Sequence, residues 1–151
     1  MDRIARSRRP VGDYLRFGQM LVDGGVIDGK RVLSPKSVTM MTTDQLGPNI
    51  RNQVAGTEPQ RDGYGFGLAV AVRLHDGVAA VPGSKGDYTW NGANGTLWWN
   101  DPQERLVVVT GTAAPGEIRK YYREQMAALV YGAMVEERAD RIPRTELRKG
   151  R

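Results

Sequence analysis

The stretch Gly83–Trp99 constrains the fold more strongly than any other part of this sequence. It holds all three tryptophans of the chain, and glycines are interspersed among its aromatic and β-branched residues. Such a mixture is typical of a strand, a tight turn and a returning strand, with the turn around Ala93-Asn94-Gly95. Glycine within a strand either permits a sharp bend or allows another group to approach the backbone closely. The stretch by itself leaves these two interpretations open.

The composition excludes several classes of functional site. The chain has 151 residues and no cysteine, which excludes disulfides, thiolate zinc sites and cysteine nucleophiles. Its single histidine, His75, excludes a site with several histidine ligands within one chain. The position of His75 beside Asp76 in a predicted turn favours an exposed residue. We therefore expect no metal and no cofactor.

The net charge of +5 comes largely from basic residues at the two ends of the chain. Terminal basic runs are typical of solvated tails, so we predict an irregular N-terminus over 1–11 and a charged, disordered tail over 138–151. No apolar run approaches the roughly 20 residues that a membrane span requires. No apolar segment follows the N-terminal arginines, so no secretory signal is predicted. We expect a cytoplasmic protein if Met1 is the natural start.

Between these ends, the sequence predicts an α+β fold in which helices flank an antiparallel sheet. The first half contains two helices with a hairpin between them. The first helix is expected to begin near Asp13 and to end at Gly24-Gly25. Asp28-Gly29 forms the turn of the hairpin, and Ser34-Pro35 opens a second helix that reaches about Thr43.

The second half is predicted to supply most of the sheet. After a long loop over 44–62, we expect strands at Tyr64–Arg73 and Val78–Val81, then the tryptophan-rich hairpin and a turn at Asn100–Glu104. The apolar run Leu106–Val109 predicts a central strand that is covered on both faces. A long helix from about Glu117 then closes one face of the sheet. Its inward stripe is predicted to consist of Ile118, Tyr122, Met126, Leu129, Val130 and Ala133. The opposite face carries Arg119, Lys120, Arg123 and Glu124.

The serines do not form a recognisable nucleophile site. Ser7, Ser34, Ser37 and Ser84 neither begin Ser-x-x-Lys nor lie in Gly-x-Ser-x-Gly. Ser34 is explained as a helix cap, and Ser84 and Lys85 point to opposite faces of an extended segment, which excludes a direct dyad. The carboxylates at predicted caps or turns need no catalytic explanation; these are Asp13, Asp23, Asp28, Asp76 and Asp101. The residues alone therefore predict a globular α+β chain without a complete catalytic set.

Six segments occur in an order that resembles one family of enzymes. They are Asp13–Leu21, Gly24–Gly29, Leu33–Val38, Gly63–Leu68, Gly86–Thr96 and Asn100–Pro102. Together they resemble the C-terminal part of the serine β-lactamase/penicillin-binding-protein-like hydrolases, and the nearest branch is that of the class C-like esterases. The resemblance implies a partial β-lactamase/transpeptidase-like fold over residues 12–137.

The resemblance also implies a chemistry and a site. Members of this family cleave acyl compounds through a serine acyl-enzyme. Their nucleophile lies in Ser-x-x-Lys, a second motif is Tyr-x-Asn or Tyr-x-Ser, and a third motif lies on a strand. Trp90-Asn91-Gly92 falls at the third motif, so Trp90, Asn91, Gly92 and Ala93 are implied to bind substrate. The Ala93 N–H would then serve in an oxyanion hole, which stabilises developing negative charge. Asn91 departs from the Gly or Thr that is commoner at its position.

The first two motifs are absent from all 151 residues. We therefore predict a truncated member that provides one wall of a site for a small ester or β-lactam-like substrate and is inactive alone, because it lacks the nucleophile. The alternative is a non-catalytic interaction module that uses the tryptophan-rich hairpin and an exposed sheet edge. Both hypotheses are compatible with a homo-oligomer. Nucleic-acid binding is disfavoured, because only Lys85 brings a basic side chain near the tryptophans.

Overall fold

The computed structural model describes residues 10–47, 49–50, 58 and 61–134. It confirms the α+β class. The helices within this part of the chain are α1 (Pro10–Val22), α2 (Pro35–Met41) and α3 (Ile118–Gly132). The strands are β1 (Val26–Ile27), β2 (Lys30–Arg31), β3 (Tyr64–Phe66), β4 (Ala71–Arg73), β5 (Tyr88–Asn91), β6 (Leu97–Asp101) and β7 (Leu106–Thr110). The predicted tail over 138–151 and much of the predicted loop over 44–62 lie outside the described residues.

Strands β3 to β7 form an antiparallel sheet in the order β3-β4-β5-β6-β7, so neighbours in the chain are neighbours in the sheet. Successive side chains of a strand alternate between faces, and Trp98 and Trp99 of β6 therefore point to opposite sides. Tyr14 of α1 meets the Trp98 ring edge-on, with the ring centroids 5.1 Å apart. Tyr131 of α3 stacks on Trp99 with the centroids 6.3 Å apart. The sheet is thus flanked by α1 on one face and α3 on the other, as predicted.

Helix α1 begins at Pro10 and not near Asp13 as predicted. Proline is favoured in the first turn of a helix, because the N–H that it lacks would have no intrahelical partner there. Residues 10 and 11, predicted to be irregular, are therefore helical. The helix ends before Gly24 and Gly25, whose φ values of 66° and 93° are readily adopted by glycine alone. None of the helices in the described part of the chain is long and apolar enough to cross a membrane.

Two local predictions in the first half are confirmed. Asp28 and Gly29 have φ values of 50° and 73° and form the turn between β1 and β2. The Ser34 hydroxyl accepts a hydrogen bond from the Ser37 N–H at 3.0 Å and so caps α2. The helix ends at Met41, slightly before the predicted end.

The prediction of one continuous strand over Tyr64–Arg73 is wrong, because a turn over 67–70 divides the segment into β3 and β4. Within this turn the Gly67 N–H donates to the Val70 carbonyl at 2.8 Å. The Leu68 N–H donates to the Met41 carbonyl of α2 at 2.9 Å. A distant helix therefore holds the turn in place, and the alternation of large and small residues gave no sign of it.

Two further strand predictions are also wrong. Val78–Val81 forms bends and not a strand. The run Leu106–Val109 lies in β7, which is at the edge of the sheet and not at its centre. All residues of β7 are only partly buried, since β6 is its sole neighbour within the described residues. Helix α1 packs against β7, but the apolar composition could not distinguish an edge strand from a central one.

Asn100 and Asp101, predicted to lie in a turn, are the last residues of β6 and have no exposed surface. Asn100 accepts a hydrogen bond from Trp98 Nε1–H at 2.8 Å. Its amide group donates to the Gly18 carbonyl and to the Tyr88 hydroxyl, both at 2.9 Å. One buried side chain therefore connects α1 with β5 and β6.

The buried face of α3 differs from the predicted stripe. Arg123 and Ala127 are buried, whereas Ile118 and Leu129 are 51% and 68% exposed. Arg123 was predicted to face solvent. It is buried because it pairs with Glu58, which lies 65 positions earlier in the sequence. Hydrophobic periodicity cannot locate a helix face that is built around a buried ion pair.

Candidate functional site

The hairpin of β5 and β6 has the strand, tight turn and returning strand that the sequence predicts. Its turn spans residues 92–95, where the Gly95 N–H donates to the Gly92 carbonyl at 3.1 Å. The Gly92 N–H donates to the Thr96 carbonyl at 3.0 Å. A Cβ on Gly92 would overlap the Thr96 side-chain oxygen, so a larger residue at this position would force the Thr96 side chain to change its rotamer.

A groove of about 560 Å³ lies between the N-terminal end of α1 and the adjoining ends of β5, β6 and β7. Trp90, Asn91 and Gly92 line this groove, whereas Ala93 lies exposed on the adjoining turn. The other lining residues are mainly aromatic or apolar and include Val11, Tyr14, Leu97, Trp98 and Val109. An apolar groove of this size with a few polar groups is typical of small-molecule binding sites.

The outer edge of β5 is open next to the turn. The pairing of β4 with β5 ends where Ala71 faces Thr89, so no described strand covers the β5 edge beyond that point. The Gly92 carbonyl points into the turn, where it accepts the Gly95 N–H, and the C=O and N–H of a trans peptide point in opposite directions. The Ala93 N–H therefore points towards the open side. Within the described residues it donates to no acceptor, so it is available to a bound oxygen atom.

Trp90 is 41% exposed and is held in place by two neighbours. Phe66 meets its ring edge-on at 5.4 Å, and the Arg61 guanidinium lies 4.6 Å from its ring centroid. With the Asn91 amide oriented to satisfy both of its polar atoms, its oxygen accepts a hydrogen bond from Arg61 Nη2 at 3.0 Å. Burial lowers the pKa of Arg61 to about 10, so the side chain is cationic at neutral pH. Arg61 thus fixes both the indole and the neighbouring amide.

A buried ion pair supports the hairpin from the side of α3. Arg123 is 2% exposed and donates to the two carboxylate oxygens of Glu58 at 2.7 Å and 2.6 Å. It also donates to the carbonyls of Gly92 and Thr96 at 2.5 Å and 3.2 Å. Arg119 Nε donates to the same Glu58 at 3.3 Å. The Glu58 carboxylate therefore compensates the positive charge of the buried Arg123 guanidinium, which also binds the hairpin carbonyls.

The sequence analysis did not identify Arg61, Arg123 or Glu58 as site residues. The spacing of Arg123, Ala127 and Tyr131, four residues apart on α3, could have indicated one helix face. The hydrophobic stripe on a neighbouring face was the stronger pattern, so this signal was missed. Nothing in the sequence indicates that Glu58 is the partner of Arg123.

The remaining candidate chemistry stays separate from the groove. Ser84 is buried, and its backbone N–H donates to Asp101 Oδ2 at 3.1 Å, whereas Lys85 is exposed. The Asp101 carboxylate also accepts a hydrogen bond from the Tyr131 hydroxyl at 2.9 Å. Asp101 is therefore a buried hydrogen-bond acceptor at the end of β6. Its Oδ1 also accepts the N–H groups of Gln103 and Glu104 in the turn that follows, so the predicted structural role at a turn is confirmed. His75 is exposed, as expected. In the described part of the chain, no three His, Cys, Asp or Glu residues are grouped so that they could hold a metal ion.

Comparison with known proteins identifies long relatives that this chain matches only in part. No protein-family profile matches the chain. Protein Rv1367c from Mycobacterium tuberculosis strain H37Rv is 40% identical over 100 residues, which are 64% of this chain and 25% of that protein. Protein MT1414 from strain CDC 1551 of the same species matches to the same extent. The chain thus spans about a quarter of the length of these relatives.

Two solved structures share the fold of this chain. EstCE1, a hydrolase with promiscuous acyltransferase activity, has a TM-score of 0.64 and 30% identity, over 81% of this chain and 29% of its own. Simvastatin synthase (LovD) from Aspergillus terreus has a TM-score of 0.66 and 18% identity, over 83% of this chain and 34% of its own. Both have the β-lactamase/transpeptidase fold that the resemblance implies. The chain therefore has the fold of the C-terminal part of a serine β-lactamase/penicillin-binding-protein-like hydrolase.

Proposed function

We propose that this chain forms one wall of an acyl-binding site for a small ester or a β-lactam-like compound. The observation that carries the proposal is the open edge of β5, where the Ala93 N–H has no acceptor among the described residues and adjoins the groove lined by Trp90, Asn91 and Gly92. A preorganised donor beside an apolar groove matches the needs of an acyl compound, whose carbonyl oxygen gains negative charge during attack. EstCE1 supports the reaction class, since it is a hydrolase with promiscuous acyltransferase activity and is 30% identical to this chain.

Each part of this wall has a distinct role. The acyl carbonyl oxygen accepts a hydrogen bond from the Ala93 N–H, which strengthens as the oxygen becomes negative. The exposed face of Trp90 and the apolar lining of the groove bury the acyl or leaving group. The Asn91 backbone contributes to the open edge on which the substrate lies.

The nucleophile must come from elsewhere. These 151 residues contain neither Ser-x-x-Lys nor Tyr-x-Asn or Tyr-x-Ser, and Ser84 is buried. A covalent route requires an activated hydroxyl next to the carbonyl carbon, with a base within hydrogen-bond reach. We therefore assign the nucleophile and base to a further part of the fold, carried on the same polypeptide or on a partner chain.

Hydrolysis by the purified chain tests the absence of a nucleophile. Nitrocefin and p-nitrophenyl acetate should show no turnover above the rate in buffer, and Ser84→Ala should change nothing. Turnover that is lost in Ser84→Ala would show that the chain holds its own nucleophile and would contradict the proposal. Thr89→Ala, which alters a hydroxyl on β5 instead, is the matched control.

The edge strand β7 favours a second candidate function, a non-catalytic interaction module. Leu106 to Val109 are apolar, and one backbone edge of β7 has no partner strand within the described residues. Such an edge is a template for pairing with another chain. Light scattering coupled to size-exclusion chromatography tests this function. A dimer that Val108→Lys converts to a monomer would favour the module, and a monomer at all concentrations would count against self-association.

A further inference from the structure

Arg123 makes an unusual contact with the backbone of the hairpin turn. Its side chain is buried on α3, and Nη2 donates to the Gly92 carbonyl at 2.5 Å. The same carbonyl accepts the Gly95 N–H at 3.1 Å, which closes the turn. Two donors, one of them charged, thus fix the direction of this single carbonyl group.

The orientation of the Gly92 carbonyl determines the orientation of the Ala93 N–H. Both belong to the peptide unit that joins the two residues. This unit is planar and trans, so its C=O and N–H bonds point in opposite directions. Because Arg123 and the Gly95 N–H together hold the oxygen, the Ala93 N–H is held on the opposite side, away from the turn. Rotating this N–H away from the open edge would require breaking the Arg123 hydrogen bond.

A charged donor on the carbonyl also changes the strength of the N–H as a donor. Hydrogen bonds in a chain polarise one another, and the effect is larger in a dry interior. Charge-assisted bonds are roughly twice as strong as neutral ones. Arg123 therefore both aims the Ala93 N–H and increases the partial positive charge on its hydrogen.

Glu58 makes this arrangement possible. A buried guanidinium without a counter-charge would destabilise the fold, and Glu58 compensates Arg123 with two hydrogen bonds at 2.7 Å and 2.6 Å. These bonds occupy Nη1, which leaves Nη2 for the carbonyls of Gly92 and Thr96. Arg119 shares the carboxylate but makes no hydrogen bond to the turn.

We infer that Arg123 is a positioning residue for the oxyanion donor: it orients and polarises the Ala93 N–H through the Gly92 carbonyl, with Glu58 as its counter-charge. The catalytic meaning of this inference rests on the proposed acyl-binding function. The orientation and polarisation of the peptide between Gly92 and Ala93 do not depend on that function, and their effects can be measured in the isolated chain.

NMR of the isotopically labelled full chain tests the inference. A hydrogen bond to a carbonyl deshields its own ¹³C and the ¹⁵N of the following residue. Arg123→Met should therefore move the Gly92 ¹³C′ and Ala93 ¹⁵N resonances upfield, and Arg123→Lys, which keeps one charged donor, should restore part of the shift. Arg119→Gln weakens the pairing with Glu58 without touching the turn, and it should leave both resonances in place.

Each outcome of this experiment decides the inference. Unchanged resonances in a folded Arg123→Met chain, or equal shifts in Arg119→Gln, would overturn it. If Arg123→Met does not fold, Arg123→Lys alone must show the upfield movement of both resonances, and its absence would overturn the inference. Loss of hydrolysis in an assembled enzyme bears on the proposed function alone, so the two failures remain distinguishable.

Discussion

Two glycines of helix α1 provide the sharpest test of how the helix is seated on the sheet. Alanine in place of glycine stabilises a helix by about 0.5–1 kcal/mol when nothing obstructs the new methyl group. At Gly12 a Cβ would meet no atom within 4 Å, whereas at Gly18 it would lie 2.6 Å from Val107 Cγ1 and 2.9 Å from Asn100 Oδ1. The same substitution should therefore have opposite effects at the two positions.

The magnitude at Gly18 follows from the rigidity of its neighbours. A Cβ there would also lie 3.0 Å from Trp98 Nε1, and this atom and Asn100 Oδ1 are already hydrogen-bonded to each other at 2.8 Å. Neither can yield without breaking a buried hydrogen bond, and overpacking of this kind costs about 1–3 kcal/mol. After subtraction of the helix gain, we expect Gly18→Ala to lower the free energy of unfolding by about 1 kcal/mol, and by about 2.5 kcal/mol at most.

Urea denaturation followed by circular dichroism and tryptophan fluorescence measures both variants. Gly12→Ala should raise the urea concentration at the unfolding midpoint, and Gly18→Ala should lower it. The free energy of unfolding should depend on urea concentration with a similar slope in the wild type and in both variants. If Gly18→Ala is as stable as Gly12→Ala, α1 does not lie against β6 and β7 at the described distance, and the reasoning is refuted.

The remaining predictions concern buried polar groups and are also measured by urea denaturation. Asn100→Ala leaves Trp98 Nε1–H without its acceptor and removes the hydrogen bonds to the Gly18 carbonyl and the Tyr88 hydroxyl. We expect the free energy of unfolding to fall by about 3–5 kcal/mol. At the exposed Asn94, substitution by alanine should change the free energy of unfolding by no more than about 0.5 kcal/mol. Equal losses in the two variants would contradict the hydrogen-bond network of Asn100. Burial raises the pKa of Asp87 from 3.8 to about 6 despite Arg73, so the folded state binds this proton more tightly. The stability of the wild type relative to Asp87→Asn should therefore fall by about 2 kcal/mol as pH rises from 4 to 7. A difference in stability that does not change with pH would count against the shift.

Features that depend on adjacent residues could be predicted from the sequence. Asp28-Gly29 favours positive φ at both turn positions, and Ser34 has a hydroxyl at the start of a helix, so both features were identified correctly. The hairpin of β5 and β6 was also identified, because its two strands and its turn are contiguous. In each case the stabilising contact lies within a few residues of the pattern that predicts it.

Features that depend on distant partners could not be predicted. The turn at 67–70 is held by the Met41 carbonyl, and the buried position of Arg123 depends on Glu58. Asn100 looked like a turn residue next to Asp101 and Pro102, but its partners include the Gly18 carbonyl, 82 positions away. A local pattern contains no information about such contacts, which arise only when the chain has folded.

These distant contacts also bear on the candidate site. The position of Trp90 near the third motif was implied by a resemblance, whereas the groove beside it requires α1 to lie against β6 and β7. The open edge of β5 exists because β4 begins only at Ala71, a position that the sequence analysis placed inside a longer strand. Family resemblance therefore indicated the candidate residues, and the fold provides their surroundings.

A chimeric enzyme tests the central claim, that the Ala93 N–H belongs to the wall of an acyl-binding site. In EstCE1, residues 10–134 of this chain would replace the segment that it matches, and p-nitrophenyl acetate hydrolysis would be compared with that of EstCE1 itself. Ala93→Pro removes the N–H but suits the second position of the turn, where proline is favoured, and Ala93→Ser keeps the N–H. We predict that the chimera hydrolyses the ester, that Ala93→Ser retains its kcat, and that Ala93→Pro lowers kcat by about 10²–10³-fold. A folded chimera without hydrolysis, or an Ala93→Pro chimera with unchanged kcat, would contradict the claim.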